Sequence, residues 1–303
     1  MDRSVGATGF PRIDTVATVV TVTVLVGIVL FLGVVLWPAY QRAHWEARVI
    51  QCGGNLRAVG QAMRAYANDY NGALPVAGGK GARWTGHLRD WSAPDRSQAF
   101  APDSNGSNAG ATVSSSLYLL VRYMQLDPKS FVCPVDRGTR FFRPERYGMG
   151  SRGLGDSWDF GPDPARHCSY AYQMVYSPYK VTLAAESAFA IAADRNPWIE
   201  GPAGVDRAGE FSSFVPDLPG FRGTGKQADL GNASAHQRVG QNVLFLDMHT
   251  AFEHRPYCGC QDDNIYTAWD GKDSVRGKLP KPGCQPADAR DSLLVNDPPA
   301  SHR

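Results

Sequence analysis

An uninterrupted apolar run near the start of the chain is its most constraining feature. Residues 16–37 carry no charged side chain, and only Thr18, Thr21 and Thr23 add hydroxyl groups. As an α-helix, these 22 residues are about 33 Å long, which exceeds the ~30 Å hydrocarbon core of a bilayer. A buried core helix would normally carry polar residues at helical spacing. The run therefore predicts one transmembrane helix, with a leader-like segment over residues 1–15 before it.

A cleaved signal peptide is the main alternative to a retained anchor. The apolar region of a signal peptide spans roughly 7–15 residues and is followed by a small-x-small cleavage site. Here the run is longer, and it ends in the bulky sequence Leu36-Trp37-Pro38. We therefore expect a single-pass membrane protein that keeps its anchor.

The composition of the 303-residue chain is that of an ordinary globular protein, with 20% charged and 43% hydrophobic residues. Its formal net charge is only +2, and no basic stripe with interleaved aromatic residues is present. Nucleic acid is therefore not an expected partner, whereas the membrane is.

A second helical pattern follows the apolar run. Apolar side chains recur at spacings of three and four residues, which is typical of one face of a helix. These residues are Cys52, Leu56, Val59, Met63, Tyr66 and Tyr70. Asn71-Gly72 with Pro75 is a helix stop. Residues 38–71 are thus predicted to continue the membrane helix as an amphipathic segment whose apolar face needs a partner surface.

The remainder, residues 72–284, is predicted to form an α+β domain with long loops. Residues 114–126 have a helical pattern. Short apolar runs at 169–176, 189–193, 242–246 and 250–253 predict strands, the last two joined at Asp247-Met248. The predicted fold class is α+β, a long N-terminal helix packed through its second half on an antiparallel sheet. The polar, proline-rich residues 285–303 are predicted to be disordered.

Six cysteines follow the anchor: Cys52, Cys133, Cys168, Cys258, Cys260 and Cys284. An even number on one side of the membrane favours an oxidising compartment and up to three disulfides, but six cysteines allow 15 pairings. Because the last three are crowded together, we expect at least one disulfide among them. Free buried thiols are one alternative, and zinc is another in this region, although the ligand types there match no usual CxxC framework. They are His249, His254, Cys258 and Cys260.

No catalytic motif stands out, since the chain lacks GxSxG, HExxH and P-loop sequences, and we do not expect an enzyme. No cofactor is expected either. Ligand-type residues gather near the predicted hairpin and its neighbouring strand, and they are the candidates for a metal ion. These are Asp194, His236, Asp247 and His249. Calcium stays open at Asp136, Asp262 and Asp263, which lack EF-hand spacing.

The preferred interpretation of His236 and Asp247 is structural. An aspartate at a turn between two apolar strands can accept backbone N–H bonds. A nearby imidazole can donate to the same carboxylate, and we expect His236 to be that donor.

Several blocks of the chain resemble one protein family, in the same order. They are Leu-Trp-Pro-Ala at 36–39, Cys52 with Asn-Leu-Arg at 55–57, YANDYNGALP at 66–75, CPVD at 133–136, SYAYQM at 169–174, ADRNP at 193–197, GQNVLFLDMH at 240–249 and DNIYTAW at 263–269. Together they resemble bacterial type IV pilins and type II secretion pseudopilins, above all the prepilin-like subgroup with a C-terminal H-x9-D-G motif. In that motif, His236 and Asp247 are separated here by ten residues instead of nine, and Met248 replaces glycine.

The processing signal of this family is matched only in part. Gly9 and Phe10 flank the expected cleavage position, and Asp14 stands where the family has glutamate. Pro11 and Arg12 differ from the usual threonine and leucine. We therefore expect cleavage by a prepilin peptidase to be inefficient or absent.

The resemblance implies the location and role of the protein. Such proteins insert in the cytoplasmic (inner) membrane with the N-terminus inside and the β domain exported; the charges that flank the anchor do not favour this orientation. The expected function is that of a pilin-like structural or interaction protein, with homotypic or heterotypic pilin-like subunits as partners. The alternative is a solitary membrane-anchored module whose loops bind a ligand or calcium.

Overall fold

The computed structural model describes residues 15–79, 81–102, 110–149, 153–203, 207–213, 229–268 and 277–300. The predicted processing residues Gly9, Phe10 and Asp14 lie outside these ranges. The chain divides into two compact units, Met1–Ala47 and Arg48–Arg303.

Helix α1, Thr15–Asp69, is 55 residues long and contains Pro38. Every side chain from residue 15 to residue 44 is exposed. The predicted apolar N-terminal helix is confirmed, and it is long and apolar enough to cross a membrane. The hydroxyls of Thr21 and Thr23 donate to the carbonyls of Ala17 and Val19, both at 2.8 Å. These hydroxyls therefore need no water, which suits a helix in an apolar solvent.

From Arg48 onward, α1 belongs to the second unit and buries one face. The buried residues recur every three or four positions, as the amphipathic pattern predicts. They are Val49, Cys52, Leu56, Val59, Gly60, Met63, Tyr66 and Ala67. This face packs on the sheet: the backbone of Gly60 lies directly under the side chain of Leu244.

A five-stranded antiparallel sheet forms the other layer, in the order β6-β5-β4-β3-β7. Its strands are β3 (Tyr170–Gln173), β4 (Ala190–Asp194), β5 (Gln241–Phe245), β6 (Thr250–Glu253) and β7 (Leu294–Val295). The predicted α+β class and four predicted strands are confirmed. Strand β4 lies at the centre and is completely buried. Its C-terminal residue, Asp194, therefore faces the interior.

Shorter elements surround this core. Strands β1 (Arg83–Trp84) and β2 (Gly110–Ala111) form a small parallel pair. Helix α2 spans Arg96–Ala99, and α3 spans Val113–Met124, which confirms the helix predicted there. Single 3₁₀ turns occur at Pro128–Phe131, Pro144–Tyr147, Leu154–Asp156, Pro164–Arg166, Ala208–Ser213, Ser234–His236 and Cys260–Asp262.

The expected disorder of the tail is wrong for residues 285–300. Strand β7 pairs with β3, and Leu293, Leu294 and Val295 are fully buried. Beyond the strand, the carboxylate of Asp297 accepts the N–H groups of Val113 and Ser114 at the start of α3. A short apolar triplet is enough to complete the edge of a sheet. The prediction of disorder missed it because the average composition of residues 285–303 is polar and rich in proline.

Two glycines of α1 provide a matched test of the helix–sheet contact. An added Cβ at Gly54 meets nothing within 4 Å, whereas one at Gly60 lies 2.7 Å from Leu244 Cδ1. Gly54→Ala should raise the free energy of unfolding by about 1 kcal/mol, because alanine favours the helix. Gly60→Ala should lower it by about 1–3 kcal/mol, because Leu244 is fully buried and confined. Denaturant unfolding of the detergent-solubilised chain, followed by tryptophan fluorescence, checks both; equal effects would contradict this packing.

Candidate functional site

Four metal-ligand side chains meet beneath the buried face of α1. They are Cys52, Cys133, Asp194 and His236, whose ligand atoms all lie within 4.8 Å of one another. All four side chains are buried. Across the ranges that the structure describes, this is the one group of three or more such residues that lies close enough to hold an ion.

Each residue comes from a different part of the fold. Cys52 lies on the buried face of α1, and Cys133 follows the 3₁₀ turn Pro128–Phe131. Asp194 ends the central strand β4, and His236 ends the 3₁₀ turn Ser234–His236. The cluster therefore joins the helix, the sheet and two loops at one point.

The carboxylate of Asp194 is the centre of the cluster. Its Oδ1 accepts the Cys52 thiol at 2.9 Å, and its Oδ2 lies 3.0 Å from His236 Nε2. Oδ2 also accepts the backbone N–H of Asn242 on β5 at 2.6 Å. Cys133 Sγ lies 3.7 Å from the same His236 Nε2. Both carboxylate oxygens are thus engaged by groups from separate elements.

Two further residues enclose the cluster. The hydroxyl of Tyr170 on β3 lies 3.4 Å from Cys52 Sγ and donates to the Cys52 carbonyl at 3.3 Å. Asn242 Nδ2 lies 3.3 Å from Asp194 Oδ2 and 3.4 Å from His236 Nε2. Because Tyr170 and Asn242 are themselves buried, the cluster is sealed from solvent.

The electrostatics of the cluster follow from this burial. Burial raises the pKa of the Cys52 thiol, whereas the hydrogen bond with Cys52 lowers the pKa of Cys133. Burial alone would lower the pKa of His236, but the adjacent Asp194 carboxylate outweighs it and raises that pKa to about 10. Without an ion, the Asp194 carboxylate therefore favours the charged form of His236 in this buried site.

The geometry does not match a cysteine–histidine–aspartate relay. Such a relay uses opposite ring nitrogens of histidine, one toward the nucleophile and one toward the carboxylate. Here His236 turns the same nitrogen, Nε2, toward both Cys133 and Asp194. Its Nδ1 has no hydrogen-bond partner among the described residues. What the arrangement can do is hold a small ion or act as a buried polar crosslink.

The other predicted candidates lie elsewhere. At the β5–β6 turn, Asp247 Oδ1 accepts the backbone N–H of His249 at 3.0 Å and pairs with its imidazole. The predicted turn at Asp247 is present. The prediction that His236 donates to this aspartate is wrong, because His249 does so instead. The turn carries Asp247 to the surface, while His236 packs inward against β4. The four sequence candidates therefore separate into two pairs, Asp194 with His236 in the interior and Asp247 with His249 at the turn.

The expected disulfide among Cys258, Cys260 and Cys284 is not found. All six cysteines lie in described ranges and carry free thiols. Cys260 and Cys284 belong to the core that contains α1, whereas Cys258 packs in a second core on the other side of the sheet. Neighbours two residues apart thus face different interiors, which crowding along the sequence cannot show.

The alternative zinc and calcium sites are not assembled either. His254 Nδ1 lies 3.2 Å from the carbonyl of Val239, and the ring of His249 stacks on Phe245. The carboxylate of Asp136 is bound by the Arg195 guanidinium at 3.1 Å. Each of these groups already has a structural partner.

A second buried polar cluster lies at the start of α3. Asp159 accepts the hydroxyls of Thr112 and Ser114 and the N–H of Phe160. Burial, together with the negative charge of Asp297, raises the pKa of Asp159 to about 8. Burial also raises the pKa of Asp297. This pair makes the fold sensitive to pH but offers only carboxylates and hydroxyls.

Sequence reasoning identified Asp194 and His236 as ligand types but not their two cysteine partners. The missed signal was that Cys52, Cys133 and Asp194 fall within blocks that carry the family resemblance, while His236 is the histidine of its tail motif. Comparison of the chain with protein-family models, curated proteins and solved structures found no match.

The pKa of Asp159 predicts a pH dependence of stability. The ordinary value is 3.8 and the folded value about 8, so between these pH values the folded chain keeps a proton that the unfolded chain loses. Stability should therefore fall as pH rises through this window, by on the order of 6 kcal/mol. In Asp159→Asn, stability should fall less steeply as pH rises. The remaining dependence should come from Asp297, whose pKa is also raised. Melting temperatures from pH 5 to pH 9 check it; an unchanged slope in the variant would contradict the assignment.

Proposed function

We propose that this protein is a membrane-anchored, pilin-like structural or interaction subunit. The single observation that carries the proposal is α1: one helix supplies an exposed apolar stretch near its start and, from Arg48, a buried face packed on an antiparallel sheet. The same combination of anchor, helix and β domain is what the ordered sequence blocks imply by resemblance to type IV pilins and pseudopilins.

The apolar stretch of α1 is exposed and needs a cover. Large side chains such as Leu25, Leu30 and Phe31 are more than half exposed. At roughly 25 cal/mol per Å² of apolar surface, leaving such a helix in water is very unfavourable. A bilayer and the helices of neighbouring subunits are the covers that fit its length.

Small residues on this helix support association between subunits. Thr23 and Gly27 are four positions apart, so they lie on one face as a small-xxx-small pair. A Cβ added at Gly27 would meet nothing within 4 Å, and the Thr23 hydroxyl is already satisfied by Val19. A second helix can therefore approach closely at this face. By the family resemblance, we propose that the N-terminus lies on the cytoplasmic side of the inner membrane and that the α+β domain lies on the opposite side.

A solitary anchored binding module is the second candidate. The observation that favours it is an open groove of about 550 Å³ at the surface of the α+β domain. The guanidinium of Arg143 lies over the ring of Phe141, 4.3 Å from its centroid, beside this groove. Its lining includes Asp127, Lys129, Phe141, Arg143, Glu145 and Arg146. Such a module would not need contacts between membrane helices.

The anchor itself predicts how the protein fractionates. The full-length chain should stay in the membrane pellet after alkaline carbonate washing, because peripheral contacts break under those conditions and a spanning helix does not. A chain shortened to begin at residue 48 should move to the supernatant. Release of the full-length chain by carbonate would refute the membrane anchor.

Crosslinking within the membrane separates the subunit from the solitary module. A photoreactive amino acid at Leu30 lies on the Thr23–Gly27 face, seven residues after Thr23, whereas one at Leu32 lies on the opposite side of the helix. We expect homotypic or pilin-like heterotypic adducts from position 30 and few from position 32. Gly27→Leu should reduce the adducts from position 30. Failure to form adducts at either position would favour the solitary module.

A further inference from the structure

We propose that Cys52, Cys133, Asp194 and His236 form a structural zinc site that clamps α1 to the sheet. The set consists of two sulfur atoms, one imidazole nitrogen and one carboxylate oxygen, all buried and mutually within 4.8 Å. These are the ligand types of zinc, and four protein ligands with no open position are the pattern of a structural site.

The distances suit tetrahedral coordination. With zinc bonds of about 2.0–2.3 Å, neighbouring ligand atoms in a tetrahedron are roughly 3.3–3.8 Å apart. The separation of Cys133 Sγ and His236 Nε2 is 3.7 Å. The contacts of Asp194 with Cys52 and His236, at 2.9 and 3.0 Å, are hydrogen-bond lengths slightly below this range. No two ligand atoms are more than 4.8 Å apart, so shifts of up to about 1 Å bring every pair into range.

The hydrogen bonding of His236 points to the same conclusion. Its Nε2 lies within 3.7 Å of Asp194 Oδ2, Cys133 Sγ and Asn242 Nδ2. A ring nitrogen carries either one proton or one lone pair, so it cannot satisfy three such neighbours. A cation between Nε2, the carboxylate and the two sulfurs satisfies Nε2, Oδ2 and the sulfurs together, and Asn242 Nδ2 then donates to Asp194 Oδ2. Binding displaces the thiol protons.

The surroundings resemble those that orient metal ligands. Asn242 donates its backbone N–H to Asp194 Oδ2, and the Tyr170 hydroxyl contacts Cys52 Sγ. Such outer contacts hold ligating groups in place. Two thiolates make the set unsuitable for calcium or magnesium, which prefer oxygen ligands, and the mixture of sulfur, nitrogen and oxygen favours zinc over softer Cu(I).

The site is tested on the full-length chain, purified in detergent without chelators. Elemental analysis should find about one zinc ion per chain. Protein produced with cobalt in place of zinc should show a thiolate-to-cobalt charge-transfer band and the visible bands of a tetrahedral ion. A wild-type protein without bound metal would overturn the proposal, as would a Cys52–Cys133 disulfide in non-reducing peptide mapping.

A matched pair of variants locates the ion. Cys133→Ala should lose at least nine-tenths of the zinc, whereas Cys168→Ala, which removes another buried thiol of the same core, should keep it. Protease resistance reports whether each variant is folded. If Cys133→Ala does not fold, Cys133→His keeps a ligand and should retain the ion. Zinc that survives in folded Cys133→Ala, or is lost equally in Cys168→Ala, would overturn the assignment.

Discussion

The arrangement of the second unit depends on the hydrogen bonds of one buried carboxylate, that of Asp194. It ends the central strand, and a thiol of α1, an imidazole from a loop and a backbone N–H of β5 all converge on it. A charge in an apolar interior is costly unless it is paired and hydrogen-bonded, so these partners must be held together. The helix, the sheet and the loop are consequently fixed in one mutual arrangement, and a change at any of them is felt by the others.

Around this point, the two layers meet through closely fitted small residues. Gly53 and Gly60 let the backbone of α1 approach Asn242 and Leu244 on β5. The proposed zinc ion would lie in the same contact, so one layer interface serves both packing and coordination. Helix α3 is held separately, by carboxylates at its N-terminus. The domain thus uses buried acidic groups at two places where apolar packing alone would not define the geometry.

Local patterns in the sequence were enough for α1, α3 and four strands, because periodicity and burial of one face act over a few residues. Strand β7 could not be predicted, since Leu294 and Val295 pair with a strand more than a hundred residues earlier. The same limit applied to the site. Cys52 and Asp194 are 142 residues apart, and only the fold brings them into contact. Asp247 was placed correctly at a turn, but its histidine partner depended on which way the turn faces.

Strand β7 also has a consequence for biogenesis. The edge of β3 and the N-terminus of α3 receive partners from residues 294–297, which follow both elements by more than a hundred residues. Until those residues have been made, the edge of β3 lacks this partner and is available to other chains. Pairing of β7 with β3 therefore also protects the folding domain from edge-to-edge aggregation.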